Sequence, residues 1–186
     1  MLDFFIQKDK ELLIFLNNLG SEQWDPFWLL ITKQLYWTPL FLLILYLIFK
    51  SFGFKKGGFV ILSIILLITF SDQFINIIKD FFGRLRPNND PSINYLLRNL
   101  INPQSFSFTS GHATTSTFFS VFIILLLKNH YKYICFLLLF PLIFGYSRVY
   151  LGVHYPLDIF AGYILGATLS VLYFKLFSVA FKKLFI

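Results

Sequence analysis

A single cysteine, Cys135, stands among 186 residues, so no disulfide braces the fold within one chain. The apolar run around it reads as the place of a buried, inert thiol. Charge is scarce as well: 13% of residues are Asp, Glu, Lys or Arg, against about 25% in a soluble domain. With 57% hydrophobic residues and a mean hydropathy of +0.71, that scarcity excludes disorder and an ordinary soluble enzyme. Repeats, low-complexity linkers and a composition break are missing, so residues 1–186 read as one integral membrane domain. No basic stretch precedes a continuous apolar core at the N-terminus, and no cleaved secretory signal is expected.

What the chain does have is long apolar runs. A bilayer core about 30 Å thick takes roughly 20 helical residues. Five runs approach that length: Pro26 to Phe49, Gly57 to Ile78, Gly111 to Leu127, Tyr133 to Ser147 and Pro156 to Phe177. The third and fourth are short and need Lys128 and Lys132 to snorkel to the interface. Ahead of them, Leu2 to Leu19 interleaves Leu2, Phe5, Leu12, Leu13, Phe15 and Leu16 with charges, the pattern of an amphipathic helix lying in the interface. The expected fold is therefore all-α, a polytopic membrane bundle of about five transmembrane helices plus an N-terminal interfacial helix.

Charge placement orients this bundle. Lys50, Lys55, Lys56, Lys128, Lys132, Lys175, Lys182 and Lys183 fall on one side, with none of the nine acids. By the positive-inside rule that side, with the C-terminus, is cytoplasmic. The net charge of +7 is thus an orientation signal, and no nucleic-acid partner is expected. The opposite side holds every acid and all four arginines: Arg84, Arg86, Arg98 and Arg148. Lysine serves topology equally well, whereas arginine supplies planar, bidentate donors for phosphate or carboxylate. The bias points to an anion site on the outer face, with Arg84 and Arg98 given no further role.

Three clusters converge there. Lys79, six residues, then Arg86 and Pro87 end the second run. Thr109, Ser110, Gly111 and His112 begin the third. Ser147, Arg148, five residues, His154, three more and Asp158 join the fourth to the fifth. The polar stretch Gly83 to Phe108, with Pro87, Pro91 and Pro103, lies between the first two clusters; a short helix over Ser92 to Leu100 is expected within it. Each histidine has a cation close in sequence, which repels a metal and welcomes an anion, so neither metal nor other cofactor is expected.

These clusters resemble the three motifs of the type 2 phosphatidic acid phosphatase (PAP2) family, relatives of the vanadium haloperoxidases and acid phosphatases. The first and third match in full. In the second, Thr109 replaces the family proline, which shapes the loop and performs no chemistry. The resemblance implies a PAP2/haloperoxidase-like helical core with the site at one membrane face. It implies His154 as the nucleophile that forms a phosphohistidine and His112 as general acid. Asp158, four residues beyond His154 at a helix start, would hold the imidazole tautomer, although capping of that helix is the simpler use.

Phosphate-ester cleavage needs charge neutralisation around the phosphoryl oxygens, supplied here by Lys79, Arg86 and Arg148, with Ser110 and the Gly111 N–H donating at a helix N-terminus. Asp72, Asn76 and Lys79 share one helix face, so Asp72 either pairs with Lys79 or Arg86 or makes an interhelical bond; Lys33 has no assigned role. The expected substrate is a lipid phosphate or diphosphate at the outer face of the bacterial cytoplasmic membrane, with undecaprenyl diphosphate leading and phosphatidylglycerophosphate, phosphatidic acid and lipid A phosphates following. The partners are that lipid and the surrounding membrane lipids, and no pattern specifies an oligomeric state. A lipid phosphotransferase using the same site and a non-catalytic lipid transporter are the other readings.

Overall fold

The structure, a computed structural model, describes residues 2–185; Met1, Ile186 and the side chain of Leu2, all within the expected 1–186 unit, lie outside the described set. The described chain is all-helical. Helix α1 is Leu2–Asn18, α2 Asp25–Ile31, α3 Thr38–Phe82, α4 Gly111–Leu127, α5 Leu139–Tyr150 and α6 Pro156–Phe185, with short 3-10 turns between them. Of these, α3 and α6 lie in helical stretches long and apolar enough to cross a membrane by length and composition.

Helix α3 is two arms rather than one rod. Gly53 adopts φ 67° and ψ −179°, a left-handed conformation open to glycine without a Cβ clash, and the chain reverses there. Ile44 and Ile48 of the first arm then share a core with Val60, Ile64 and Leu67 of the second. The expected span from Pro26 to Phe49 is corrected by this arrangement. Its first part is the separate helix α2, followed by extended Lys33 and a 3-10 turn over Gln34–Trp37. Pro39 explains the break, because inside a continuous helix it would lack a donor and clash with the preceding turn, whereas at the first turn of α3 it costs nothing. The helix expected over Ser92 to Leu100 is only a 3-10 turn at Asn94–Leu96.

Helix α4 is the central post, with buried residues running from Ala113 to Leu127 along most of its circumference. It packs most intimately on α6, through small residues one turn apart. A Cβ on Gly162 would meet Ala113 and Thr114 at 3.0 Å, and one on Gly166 would overlap the Thr114 carbonyl. Ser170, one turn further, is fully buried. Lipid offers apolar side chains a solvent as good as the protein interior, so close van der Waals approach of this kind holds membrane helices together.

The outer surface confirms that solvent. Leu42, Leu62, Ile65, Leu66, Ile164, Leu172 and Leu176 are all more than half exposed, far more contiguous apolar surface than a water-soluble monomer shows. Cys135 is exposed on the same surface, which corrects the expectation of burial: an apolar run in a membrane protein faces lipid as readily as core. Helix α1 turns its Phe4, Phe5 and Phe15 outward and packs inward through Asp9, Leu13 and Asn17, a buried stripe that is largely polar.

Candidate active site

Every residue expected at the site gathers at one end of the bundle. Lys79 closes the second arm of α3, Gly111 and His112 open α4, Arg148 lies near the end of α5, and Asp158 lies in the first turn of α6. The opposite end carries the Gly53 turn and the α4–α5 connection, joined by a hydrogen bond between Ser51 and Tyr131 at 3.2 Å. Between α5 and α6 the chain turns at Gly152, φ +68°, where a Cβ would crowd Asn17 and Asn99. That turn delivers His154 beneath the loop from α3.

A cavity of about 940 Å³ fills the space between the two arms of α3 and the start of α4. Its long side is apolar, from Phe41, Leu42, Ile44 and Ile48 on the first arm and Ile61, Ile64 and Ile68 on the second. Its end is basic: Lys79, Arg86, Gly111, His112 and Arg148 form the wall, with Asp72 beside them. Asp72 makes no ion pair among the described residues. Ser110, His154 and Asp158 stand behind this wall, each at most 1% exposed.

Arg86 separates His154 from the cavity. Its Nη1 donates to the Val153 carbonyl at 3.0 Å and lies 3.0 Å from His154 Nε2, while Nε and Nη2 donate to the Ser105 carbonyl and hydroxyl at 2.7 and 2.9 Å. A guanidinium only donates, so His154 Nε2 presents its lone pair and the ring proton sits on Nδ1, which faces Asp158 Oδ2 at 3.4 Å. Burial pushes the imidazole down to about 3, against the opposing pull of Asp158, so the ring is neutral at pH 7. Burial likewise lowers Arg86 to about 10, still a cation at neutral pH.

The carboxylate of Asp158 is held from several sides. Oδ2 accepts from the Tyr155 N–H at 3.0 Å and from the Ser107 hydroxyl, and Oδ1 accepts from Arg84 Nη1 at 2.6 Å. Ser110 is committed locally: its Oγ accepts from the Ala113 N–H at 3.4 Å as the N-cap of α4, and its own N–H donates to the Asp158 carbonyl. The hydroxyl proton of Ser110 and the N–H of Gly111 remain for an anion. The His112 ring packs on Phe144 with centroids 4.8 Å apart and makes no side-chain hydrogen bond among the described residues. Arg148 donates from Nη1 to Thr32 Oγ1 at 2.5 Å, and its Nε is buried with no partner among the described residues.

The arginine bias resolves into two pairs. Arg86 and Arg148 line the cavity, whereas Arg84 bridges Asp9 and Asp158 and Arg98 pairs with Asp25 at 2.7 Å. Sequence reasoning missed Thr32, Ser105 and Ser107 altogether. Ser105 and Ser107 come from an irregular segment and Thr32 caps the end of α2, where no periodicity marks a side chain's direction; only Ser105 and Ser107, just ahead of the second cluster, carried a signal by their position.

Fold and site together define a membrane helical bundle whose cavity ends in a basic wall next to a buried, neutral imidazole. Residues 59–182 match the PAP2 superfamily, and the chain belongs to that family. It is 36% identical to the lipid A 4'-phosphatase of Bacteroides thetaiotaomicron over 89% of this chain and 75% of that protein. It is 32% identical to the undecaprenyl-diphosphatase of Sulfolobus acidocaldarius over 87% of this chain and 67% of that protein. The crystal structure of a transmembrane PAP2-type phosphatidylglycerolphosphate phosphatase from Bacillus subtilis shares the fold, with a TM-score of 0.73 over 95% of this chain and 87% of that one at 22% identity. The protein is a membrane enzyme of the lipid phosphatase class.

Proposed function

We propose that the chain acts as one unit, 1–186, that hydrolyses a lipid phosphate without a metal, through a phosphohistidine on His154, at the outer face of a bacterial cytoplasmic membrane. The observation that carries the mechanism is the polarity of the His154 ring: Nδ1–H toward Asp158 and the Nε2 lone pair toward Arg86, at the basic end of the cavity. Lys79, Arg86 and Arg148, with the Ser110 hydroxyl and the Gly111 N–H, hold the non-bridging oxygens. Nε2 then attacks phosphorus as the bond to the lipid oxygen breaks, and protonated His112 gives its proton to that oxygen. In the second half, water loses a proton to His112 and attacks phosphorus. The P–N bond breaks, its electron pair returns to Nε2, and phosphate leaves.

The cavity supports a lipid substrate. Leu42, Leu45 and Ile68 on its lining are exposed, and this open apolar side supports entry of a hydrocarbon chain from the bilayer while the head group meets the cations. The likeness to the Bacteroides lipid A 4'-phosphatase supports a lipid A phosphomonoester as the first substrate to test. The likeness to the Sulfolobus enzyme supports undecaprenyl diphosphate as the second. The lysine-only opposite end supports the outward orientation of the site.

The test is phosphate release by the purified protein in detergent from lipid A, undecaprenyl diphosphate, phosphatidylglycerophosphate and phosphatidic acid, with and without EDTA. Release that EDTA does not alter and that His154→Ala abolishes is the expected result. Full activity in His154→Ala, or EDTA inhibition reversed by zinc, overturns the mechanism; lipid consumption without free phosphate points to transfer instead.

A further inference from the structure

Asp9 lies on α1, far in sequence from the motif clusters, yet it is 4% exposed. Its Oδ1 accepts from the Leu157 N–H at 2.9 Å, capping the first turn of α6, and its Oδ2 accepts from Arg84 Nη2 at 2.7 Å. The other nitrogen of that guanidinium, Nη1, reaches Asp158 Oδ1 at 2.6 Å, and the guanidinium carbon lies 3.8 Å from the Tyr155 ring centroid. One planar cation is therefore clamped by two carboxylates and a ring face. It is no part of the cavity wall, so it does not meet substrate.

We propose that Arg84, held by Asp9 of α1, is a positioning residue: it fixes and keeps ionised the Asp158 carboxylate, and so holds His154 in the tautomer whose Nε2 is free to attack. This rests on the reading of His154 as the nucleophile. Two donors already serve Asp158 Oδ2, but Arg84 is the one partner of Oδ1 among the described residues. Without it, a fully buried carboxylate oxygen has nothing to offset its charge, and binding a proton relieves that cost. Protonation at that orphaned Oδ1 neutralises Asp158 and leaves Oδ2 a weaker acceptor, so the Nδ1–H tautomer loses its preference, the Nε2–H form is populated, and the lone pair that should attack phosphorus is lost. Helix α1 is then a working part of the site as well as a surface helix.

The decisive measurement is 15N NMR of histidine-labelled full-length protein in detergent, with His154→Asn to assign the His154 resonances. Wild type is expected to show Nδ1 protonated and Nε2 bare. Arg84→Gln is expected to populate the Nε2–H tautomer, and Asp9→Asn, which frees one end of the Arg84 guanidinium, to populate it in part. In phosphate release, Arg84→Gln is expected to lower kcat about 10²-fold with KM little changed, and Arg84→Lys to recover part of it. An unchanged tautomer in Arg84→Gln overturns the proposal. Should that variant not fold, Asp9→Asn decides alone, with an Nε2–H signal supporting the proposal and its absence overturning it. Failure of the nucleophile reading is separate, since it shows as activity in His154→Ala.

Discussion

Arg86 Nη1 and His154 Nε2 stand 3.0 Å apart, so in the proposed mechanism the cation that binds the phosphoryl group also covers the atom that attacks it. The two groups face each other, and that mechanism requires the incoming phosphoryl group to displace their contact. Arg86→Lys keeps the charge but loses the fork that binds Ser105, Val153 and His154 at once. We expect kcat/KM for phosphate release to fall about 10²-fold or more, the usual loss when one preorganised donor at a developing anion is removed. A Lys variant with wild-type kcat/KM would mean that Arg86 merely braces the loop.

The neutral state of His154 has a consequence for stability. Its ordinary value is 6.5 and burial brings it to about 3 in the folded protein, so between these pH values the unfolded chain binds the extra proton. Stability from this residue is complete above about 6.5 and is lost as pH falls toward 3. Relative to pH 7, the loss at pH 5 is about 2 kcal/mol. His154→Asn carries no such proton, so its Tm in detergent should drop less between pH 7 and pH 5 than that of wild type. Parallel Tm curves for the two proteins would contradict a buried neutral imidazole.

Much of this architecture is legible in the chain. Helix α4 begins and ends at the expected Gly111 and Leu127, and α6 starts at the expected Pro156, because Ser110 and Pro156 are strong helix-start signals at the edge of apolar runs. The motif spacings brought Lys79, Arg86, Gly111, His112 and Arg148 to one cavity wall. What escaped has a common physical origin. In lipid, apolarity marks burial and exposure alike, so the run from Pro26 to Phe49 concealed a break and Cys135 proved exposed. The clamp on Asp158 joins Asp9 of α1 and Asp158 of α6 through Arg84 and Ser107 of the irregular stretch between α3 and α4, where sequence separation gives no direction.

Gly166 separates two competing effects. Alanine is better than glycine inside a helix by about 1 kcal/mol, which alone would stabilise α6. Against it, the new Cβ would overlap the Thr114 carbonyl and lie 3.0 Å from Phe118 N and Thr117 Cβ. These are mostly backbone atoms of the central helix, which cannot rotate away, and forced overpacking costs roughly 1–3 kcal/mol. The clash should win, so Gly166→Ala lowers the Tm in detergent and Gly166→Val lowers it further. A higher Tm in the alanine variant would show that α4 and α6 are further apart than described.

Thr32 tests whether residues outside the motif clusters tune the anion site. Arg148 is 6% exposed; its Nη1 donates to Thr32 Oγ1, from the end of α2, and its Nε has no partner among the described residues. A guanidinium held at one corner keeps its remaining donors directed at the cavity and ready for a phosphoryl oxygen. Thr32→Val preserves shape and removes the acceptor, leaving a second buried donor unpaired in the free enzyme. Without that anchor the guanidinium must be ordered when the phosphoryl group binds, at a cost of about 0.5–1.5 kcal/mol. The expected result is a fall of about 10-fold in kcat/KM, with Thr32→Ser near wild type because it restores the hydroxyl. Equal kcat/KM in the valine and serine variants would show that Arg148 is oriented by packing alone and that α2 takes no part in binding phosphate.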